Sequence, residues 1–559
     1  MAKKQVDMAI ADFFFENFLP MSKVESRSFK QLVQQIMDNA PQLRAHQYTP
    51  QSRTKLQTDD LDAAYGTMLK EVRERIGRDA TESFTVASDG WSSNVGHVHL
   101  HNFILCGSAD CYLLEQRSLQ SKSMDFWSPW MIENMKALQP IVQLDRIRFV
   151  VTDGEMRSAC NNLKTAAAEQ LKVTLYCLIC TPHTLDLFQE DVFSVESTAL
   201  HEKFPEFKVV SGEVAKAQEL VKLFNVPKLA RELEKFSDLA VVSVPSTRFQ
   251  YHYQSTDRIV ELRPALKKVF GTDAWDAHVK ARPLAKRTEL QRLRNVVFDD
   301  DTFWKNLDAI LKVMKPVVVL QRTADRDAYH AADLFGDFQA LRQKLDGPLC
   351  RNSASLTTKF CDQLVKRFDE RWEYHHNVVH SVAYLLNPKM HHNVRPLPAG
   401  ESAEAVRKEK KQLEQDFEAV VELEFGKSNH QQLFDAQSEL KAFREHHFEG
   451  KQLAAMKSVA QGKTTPQEWW SQYGFLVTKG KRGKMLKKEL PILTTLAARF
   501  LGATVTATTS ERAWKHAASI HTETRNRLHE DRLKKLTFLY YNKNNFALTR
   551  TQKMIENSV

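Results

Sequence analysis

Two short runs of β-branched and aromatic residues each end on an aspartate followed by glycine. SFTVASDG closes on Asp89 and IRFVVTDG closes on Asp153. Such runs read as buried strands. The second is so continuously apolar that it is expected at the centre of a sheet, covered on both faces. Acids at neighbouring strand ends converge on one edge of a sheet. A third acid, Glu511 in TATTSERAWKH, opens a helical pattern about 360 positions further on. A fold that reunites the three would gather the carboxylates that a pair of divalent cations needs to clamp the attacking and leaving oxygens of a phosphoryl displacement. Magnesium suits such oxygen ligands and keeps waters for exchange. The pattern therefore points to metal-dependent cutting or joining of nucleic acid. A plainer reading stands beside it. An Asp–Gly at a strand end is a common turn, and a glutamate after Thr509–Ser510 is an ordinary first-turn acid favoured by the helix dipole.

Around these acids the predicted order is strand, strand, strand, helix, strand, helix, strand. HVHLHNFILCG and CYLLEQRSLQ read as antiparallel neighbours. SPWMIENMKALQPIV reads as a helix opening at Ser128–Pro129, RSACNNLKTAAAEQL as a second helix, and TLYCLICTPHTLDLFQEDV as a strand passing into a helix. This block spans 81–195. Residues 1–80 read as helical, with FKQLVQQIMDNA and LDAAYGTMLKEVRERIG at helical spacing. Residues 196–465 read as a long helical region, with RKEKKQLEQ a solvated helix face. Residues 466–559 return to a mixed pattern, with three helices over LPILTTLAARFLGA, ATTSERAWKHAASI and RLHEDRLKKLTFLYYN. The fold class expected is α/β.

At 559 residues the chain exceeds what one core supports. A hydrophobic content of 42% with 26% charged residues is ordinary for a soluble globular protein. The 79 Lys+Arg against 69 Asp+Glu leave +10, an excess that favours a polyanionic partner. The densest basic cluster is Lys479, Lys481, Arg482, Lys484, Lys487 and Lys488. It could contact phosphates, act as a nuclear-import signal, or be a solvated loop. Seven cysteines, an odd and sparse set, suggest a reducing compartment. Cys177 and Cys180 form a CxxC without a second pair, so residues on and beside a buried strand are expected there rather than zinc. The chain has no run apolar enough to span a membrane and no evident signal peptide, so a soluble intracellular protein is expected.

Four stretches, in order, resemble the hAT superfamily of transposases, the Activator-like group. SDGWSS is similar to its first catalytic block, VVTDGEMRSACNNL to its second, and CTPHTLDL to its C-x-x-H block, with Cys180 and His183 in the key places. The segment from Trp469 to about Asn542 resembles the family's dimerisation signature, including its SER triplet and the R-x-R-L pattern of Arg525, Arg527 and Leu528. The resemblance implies a ribonuclease H-like mixed sheet interrupted by a large all-α insertion. It implies that Asp89, Asp153 and Glu511 hold magnesium or manganese, with Cys180 and His183 nearby as supporting residues. Arg248 and Phe249 resemble an arginine–tryptophan pair that stacks a displaced base; here the aromatic is Phe. Trp514, Leu528, Leu533, Leu536, Phe538 and Leu539 would serve a subunit interface. The partners implied are DNA and a second copy of the chain, in the nucleus, with no small-molecule substrate. Three departures stand out. The first 105 residues lack cysteine, so the family's BED-type zinc finger is not expected there. The second block reads DGEMRSACNN where the family often shows Asp followed soon by Asn. The stacking aromatic is a Phe. They keep open a second reading, a catalytically inactive, host-adopted DNA-associated dimerising factor.

Overall fold

The two Asp-tipped runs become neighbouring parallel strands. β1 (Phe84–Ala87) is wholly buried, and β5 (Ile147–Thr152) is buried except for Arg148. Both faces of β5 are thus covered, as its unbroken apolar pattern requires. A short β2 (Gly90–Ser92) follows β1, and β3 (His99–Cys106) pairs antiparallel with both, so β2 continues the line of β1 past Asp89. β4 (Cys111–Arg117) pairs antiparallel with the far side of β3, and β6 (Tyr176–Ile179) lies parallel to β5. Across the sheet the order is β4, β3, β1 with β2, β5, β6. The protein is mixed α/β with much more helix than strand. The computed structural model describes residues 26–41, 54, 58–93, 99–107, 110–118, 124–195, 198–242, 250–326, 329–392, 394, 403–479, 485–522 and 528–547.

The chain divides into two compact units, Met1–Ala64 and Tyr65–Val559. In the first, helix α1 (Arg27–Asp38) is capped by Ser26, whose hydroxyl accepts the Phe29 N–H, and buries none of its residues. Helix α2 (Asp59–Arg78) crosses into the second unit, where Val72 and Ile76 are core residues. Helix α3 (Met124–Leu138) begins four residues before the Ser128–Pro129 start that the sequence suggests. Its buried face opens at Trp127, so the helix must start early enough to deliver that ring. Pro129 then forfeits one backbone bond in the second turn. Ser128 donates to the Ala159 carbonyl at 3.0 Å, fastening α3 to helix α4 (Arg157–Gln170). Helix α5 (Thr181–Phe193) leaves directly from β6.

Among the described residues, the chain from 198 to 460 forms helices and no named strand. Those used below are α6 (Asp301–Ala324), α7 (Thr358–His375) and α8 (Ala403–Phe425). Cys350 and Cys361 are joined by a disulfide with 5.9 Å between Cα atoms, whereas the other five cysteines are free. This pair departs from the free thiols that a reducing compartment favours. The two are only eleven residues apart and both buried, a proximity that only folding reveals.

The C-terminal part contains a hairpin, β7 (Phe475–Lys479) and β8 (Met485–Glu489), where the sequence suggested a basic loop. Three helices follow: α9 (Pro491–Phe500), α10 (Thr508–Ile520) and α11 (Glu530–Ala547). Helix α11 covers the β4 edge. Asn542 accepts the Leu113 N–H and donates to the Leu113 carbonyl at 3.0 Å, and Asn545 donates to the Cys111 carbonyl. Covering an edge strand removes a template for unwanted pairing. No described helix is long and apolar enough to cross a membrane.

One carboxylate joins the three parts of the larger unit. Glu424 of α8 is buried and accepts from Arg148 of β5 at 2.8 Å, from Arg499 of α9 at 2.7 Å and from the Tyr176 hydroxyl at 2.9 Å. The rings of Phe149, Tyr176 and Phe500 pack beside it, 5.2–5.8 Å apart. Truncating a buried ion-pair partner strands the charges opposite. Glu424→Ala is therefore expected to cost about 3 kcal/mol, read as a lower denaturant midpoint. Glu424→Gln keeps an acceptor and should cost less. An alanine variant as stable as the wild type would contradict this account.

Candidate functional site at the strand edge

The parallel register sets the geometry. Ala87 pairs with Val151, and the Ser88 N–H donates to the Val151 carbonyl at 3.1 Å. Extending that register by two residues aligns Asp89 with Asp153, just past the last paired residues of strands that lie about 4.8 Å apart. Thr152 pairs with Ile179, and the Cys180 N–H donates to the Thr152 carbonyl at 2.7 Å. Asp89, Asp153 and Cys180 thus occupy successive strand ends along one edge. Local bonds fix the two aspartates. Asp89 Oδ1 accepts the Gly90 N–H at 2.8 Å, and Asp153 Oδ1 accepts the Met156 N–H at 3.3 Å. The turn role expected of an Asp–Gly pair is therefore present alongside any other. Gly90 has little room for a side chain, since a Cβ there would lie 3.0 Å from the His101 ring. The turn after Asp153 is clasped by the end of α7. The Tyr374 hydroxyl donates to the Gly154 carbonyl at 2.8 Å, and Arg157 lies over the Tyr374 ring.

Glu511 reaches this edge on a buried extended segment. Ala503, Thr504, Val505, Thr506 and Ala507 are all buried. Thr504 N–H donates to the Thr85 hydroxyl at 3.1 Å, Val505 carbonyl accepts the Thr181 N–H at 3.0 Å, and Ala503 carbonyl accepts the Ala331 N–H at 2.9 Å. The Ala507 N–H donates to Cys180 Sγ at 3.4 Å. Helix α10 starts at the next residue, with the Thr506 hydroxyl accepting the Thr508 N–H, and Glu511 falls in its first turn. Asn102, fully buried on β3, bridges the two acidic segments. Its Oδ1 accepts the Asp89 N–H at 3.0 Å and its Nδ2 donates to the Ser510 carbonyl at 3.3 Å. Trp91 stacks on Trp514 with ring centres 5.7 Å apart, and the Ser93 hydroxyl meets His521 Nδ1 at 2.8 Å. Sequence reading missed Asn102; its signal was a lone amide inside an apolar strand.

Like charges dominate around Glu511. Burial first, then Asp89, Asp325 and Asp186, push its carboxyl up to about 8, and Lys515 acts the other way. Burial raises the Asp153 carboxyl too, while the nearby His183 draws it back down. Asp186, one turn beyond His183 on α5, is raised by burial and accepts the Gln250 N–H at 2.9 Å and the Gln321 amide at 3.1 Å. Cys180 has its thiol pushed up to about 12 by burial, then by Glu511, so it acts as a neutral anchor rather than a thiolate. Beneath α5, His375 is enclosed between the Thr181 and Thr184 hydroxyls at 3.3 and 3.0 Å, and burial holds it neutral, down to about 3.

Among the described residues no three His, Cys, Asp or Glu side chains stand close enough to hold one metal ion. The donor chemistry nevertheless fits a hard divalent cation. Asp89 and Glu511 already act on each other, and Asp153 is one strand away.

The other residues singled out in the sequence fall elsewhere. Arg248, Phe249, Lys481, Arg482, Lys484, Arg525 and Arg527 lie outside the described residues, as does the side chain of Lys479. Lys487 and Lys488 are exposed on β8. Lys487 pairs with Glu489 at 2.7 Å and lies over the Phe475 ring. Of the residues assigned to an interface, Trp514, Leu533, Phe538 and Leu539 are buried within this chain, and Leu528 and Leu536 are half-buried.

The molecule is thus a mixed α/β protein with an acid-lined edge of parallel strands, closed by a returning C-terminal helix. Residues 449–542, which include α9, α10 and nearly all the chain that carries Glu511 to that edge, match the hAT family C-terminal dimerisation region. The likeness is to that region, over these residues. The match starts before the Trp469 suggested by motif and ends at the same Asn542. No curated protein matches the chain.

The raised Glu511 carboxyl has a consequence for stability. Between its usual 4.5 and about 8 the folded protein keeps a proton that the unfolded chain has lost, so this group lowers stability as pH rises through that window. Glu511→Gln removes that penalty. In EDTA its thermal midpoint should equal the wild type's near pH 4 and exceed it at pH 8, by an amount worth roughly 1 kcal/mol or more. A glutamine variant no more stable than the wild type at pH 8 would show that the carboxylate is not strained there.

Proposed function

We propose that the chain is a hAT-type DNA transposase, or a protein derived from one, that cleaves DNA and transfers the freed strand at Asp89, Asp153 and Glu511. The observation that carries this reading is that the segment matching the hAT dimerisation region also brings Glu511 beside Asp89. A ribonuclease H-like core is supported by the strand order: three antiparallel strands, β4, β3 and β1, then β5 and β6 parallel to β1, with an all-α insertion before the returning helix. The three carboxylates would hold magnesium or manganese, which when bound supplies Lewis acidity to the phosphodiester. The chain's own groups set the stage. Asp89 and Asp153 sit at strand ends, Glu511 would have to be ionised to serve as a ligand, and His183 lies near Asp153. Lys487 and Lys488, with the rest of their basic cluster, would meet DNA phosphates. DNA as partner, action as a homodimer or larger homo-oligomer, and a nuclear location all follow from this reading.

The second reading, a catalytically inactive DNA-associated dimer, is favoured by one observation: one oxygen of Asp89 and one of Asp153 already accept backbone N–H groups. Supercoiled DNA separates the two. Wild-type protein with Mg2+ or Mn2+ is expected to nick it, and Asp153→Asn to be slower by ~10²-fold or more. Equal nicking by the variant removes the proposed site. Oligomeric, DNA-binding protein that nicks with neither cation establishes the inactive reading instead.

A further inference from the structure

We propose that Asn102 is a positioning residue of the carboxylate site, fixing the spacing between Asp89 and the first turn of the helix that carries Glu511. The inference rests on the metal-site reading above. Asn102 lies on β3 with no exposure at all. A buried amide is costly unless its hydrogen bonds are satisfied, and an apolar residue would serve the core of β3 as well. What the amide adds is one acceptor and one donor aimed at two segments remote in sequence. Oδ1 takes the Asp89 N–H at 3.0 Å, and Nδ2 reaches the Ser510 carbonyl at 3.3 Å. The Asn102 backbone N–H also donates to the Asp89 carbonyl at 3.2 Å, so Asp89 is held from both sides of its peptide. Each bonded group is the backbone of a proposed ligand or of its immediate neighbour. No other natural side chain has this donor and acceptor at this length. Aspartate lacks the donor, leucine lacks both, and glutamine is one methylene too long.

Other contacts join the same two segments further from the acids. Trp91 stacks on Trp514, Ser93 meets His521, and Leu100, Trp514, Ala517 and Leu533 form a shared core. Removing the amide should therefore leave α10 docked while loosening the gap between the two carboxylates. A displacement of about 1 Å in a reacting constellation is enough to cost ~10²-fold in rate.

The test uses the full chain with Asn102→Ala and Asn102→Ser, and Ser128→Ala as a control for a lost buried hydrogen bond away from the edge. For each, the thermal midpoint is measured in EDTA and across a Mn2+ titration, together with the Mn2+ dependence of nicking. Asn102→Ala is expected to remain folded and to need at least tenfold more Mn2+ for half-maximal stabilisation and nicking. Its maximal rate should fall by ~10²-fold. Asn102→Ser should lie between alanine and wild type, and Ser128→Ala should keep the wild-type Mn2+ dependence whatever its midpoint. A Mn2+ requirement in Asn102→Ala equal to that of Ser128→Ala overturns the positioning role and leaves the metal site standing. Both Asn102 variants failing to fold also overturns it, since the residue is then a folding requirement. A wild type with neither Mn2+-dependent stabilisation nor nicking overturns the metal-site reading and this inference with it.

Discussion

The passage of residues 503–507 across the ends of β1 and β6 is the constraint on which the rest of the candidate site depends. Buried backbone groups must be satisfied, and those of this segment bond to three separate parts of the chain. It bonds Thr85 on one side, Thr181 on another and Ala331 of the helical region on a third. Because five consecutive residues are buried between those partners, the start of α10 has little freedom. Glu511 follows in its first turn, where Asp89 acts on it. The long helical region thus does more than interrupt the sheet. Through Ala331 it grips the segment that completes the acidic edge, and through Tyr374 it clasps the turn after Asp153.

The handling of buried acids differs sharply between this edge and the rest of the chain. Glu424 is answered by Arg148 and Arg499. Asp191, on α5, is answered by Arg367 and Arg371, each through two nitrogens at 2.7–3.2 Å. Both acids join elements that must stay together, and paired guanidinium groups are well suited to carboxylates. Around Glu511 the named neighbours are mostly other carboxylates. An arrangement that raises a glutamate to about 8 is poor as a structural device, because it lowers stability wherever the unfolded chain would release that proton. Under the proposed function, an arriving cation would supply the charge that this edge lacks. Neutral His375 under α5 adds polar contacts without adding charge.

The dimerisation region has a comparable double use. Its apolar residues Trp514, Leu533, Phe538 and Leu539 are buried inside the protomer, and Asn542 and Asn545 seal the edge of β4. The same segment that a family resemblance ties to a subunit interface is, within one chain, the cover of the sheet. Sequence alone could not separate these roles, because an apolar stripe on a helix looks the same whether it meets its own sheet or a second copy.

That ambiguity marks the boundary of what the residues disclosed. The α/β order, the interior position of β5 between β1 and β6 and the helical stretch before Glu511 followed from local pattern, since continuous apolar runs and helical spacing are properties of neighbouring residues. The β7–β8 hairpin was not legible, because β8 is exposed along its whole length and its lysines look like a solvated loop. The start of α3 was misplaced because proline was taken as a boundary, whereas the need to bury Trp127 overrode it. For the candidate site, residue types pointed to the acids, but no local signal reports which distant backbone lies beside them. Asn102 shows why: its significance comes from two partners, one 13 and the other 408 positions away, and only the folded register brings both within reach of one amide.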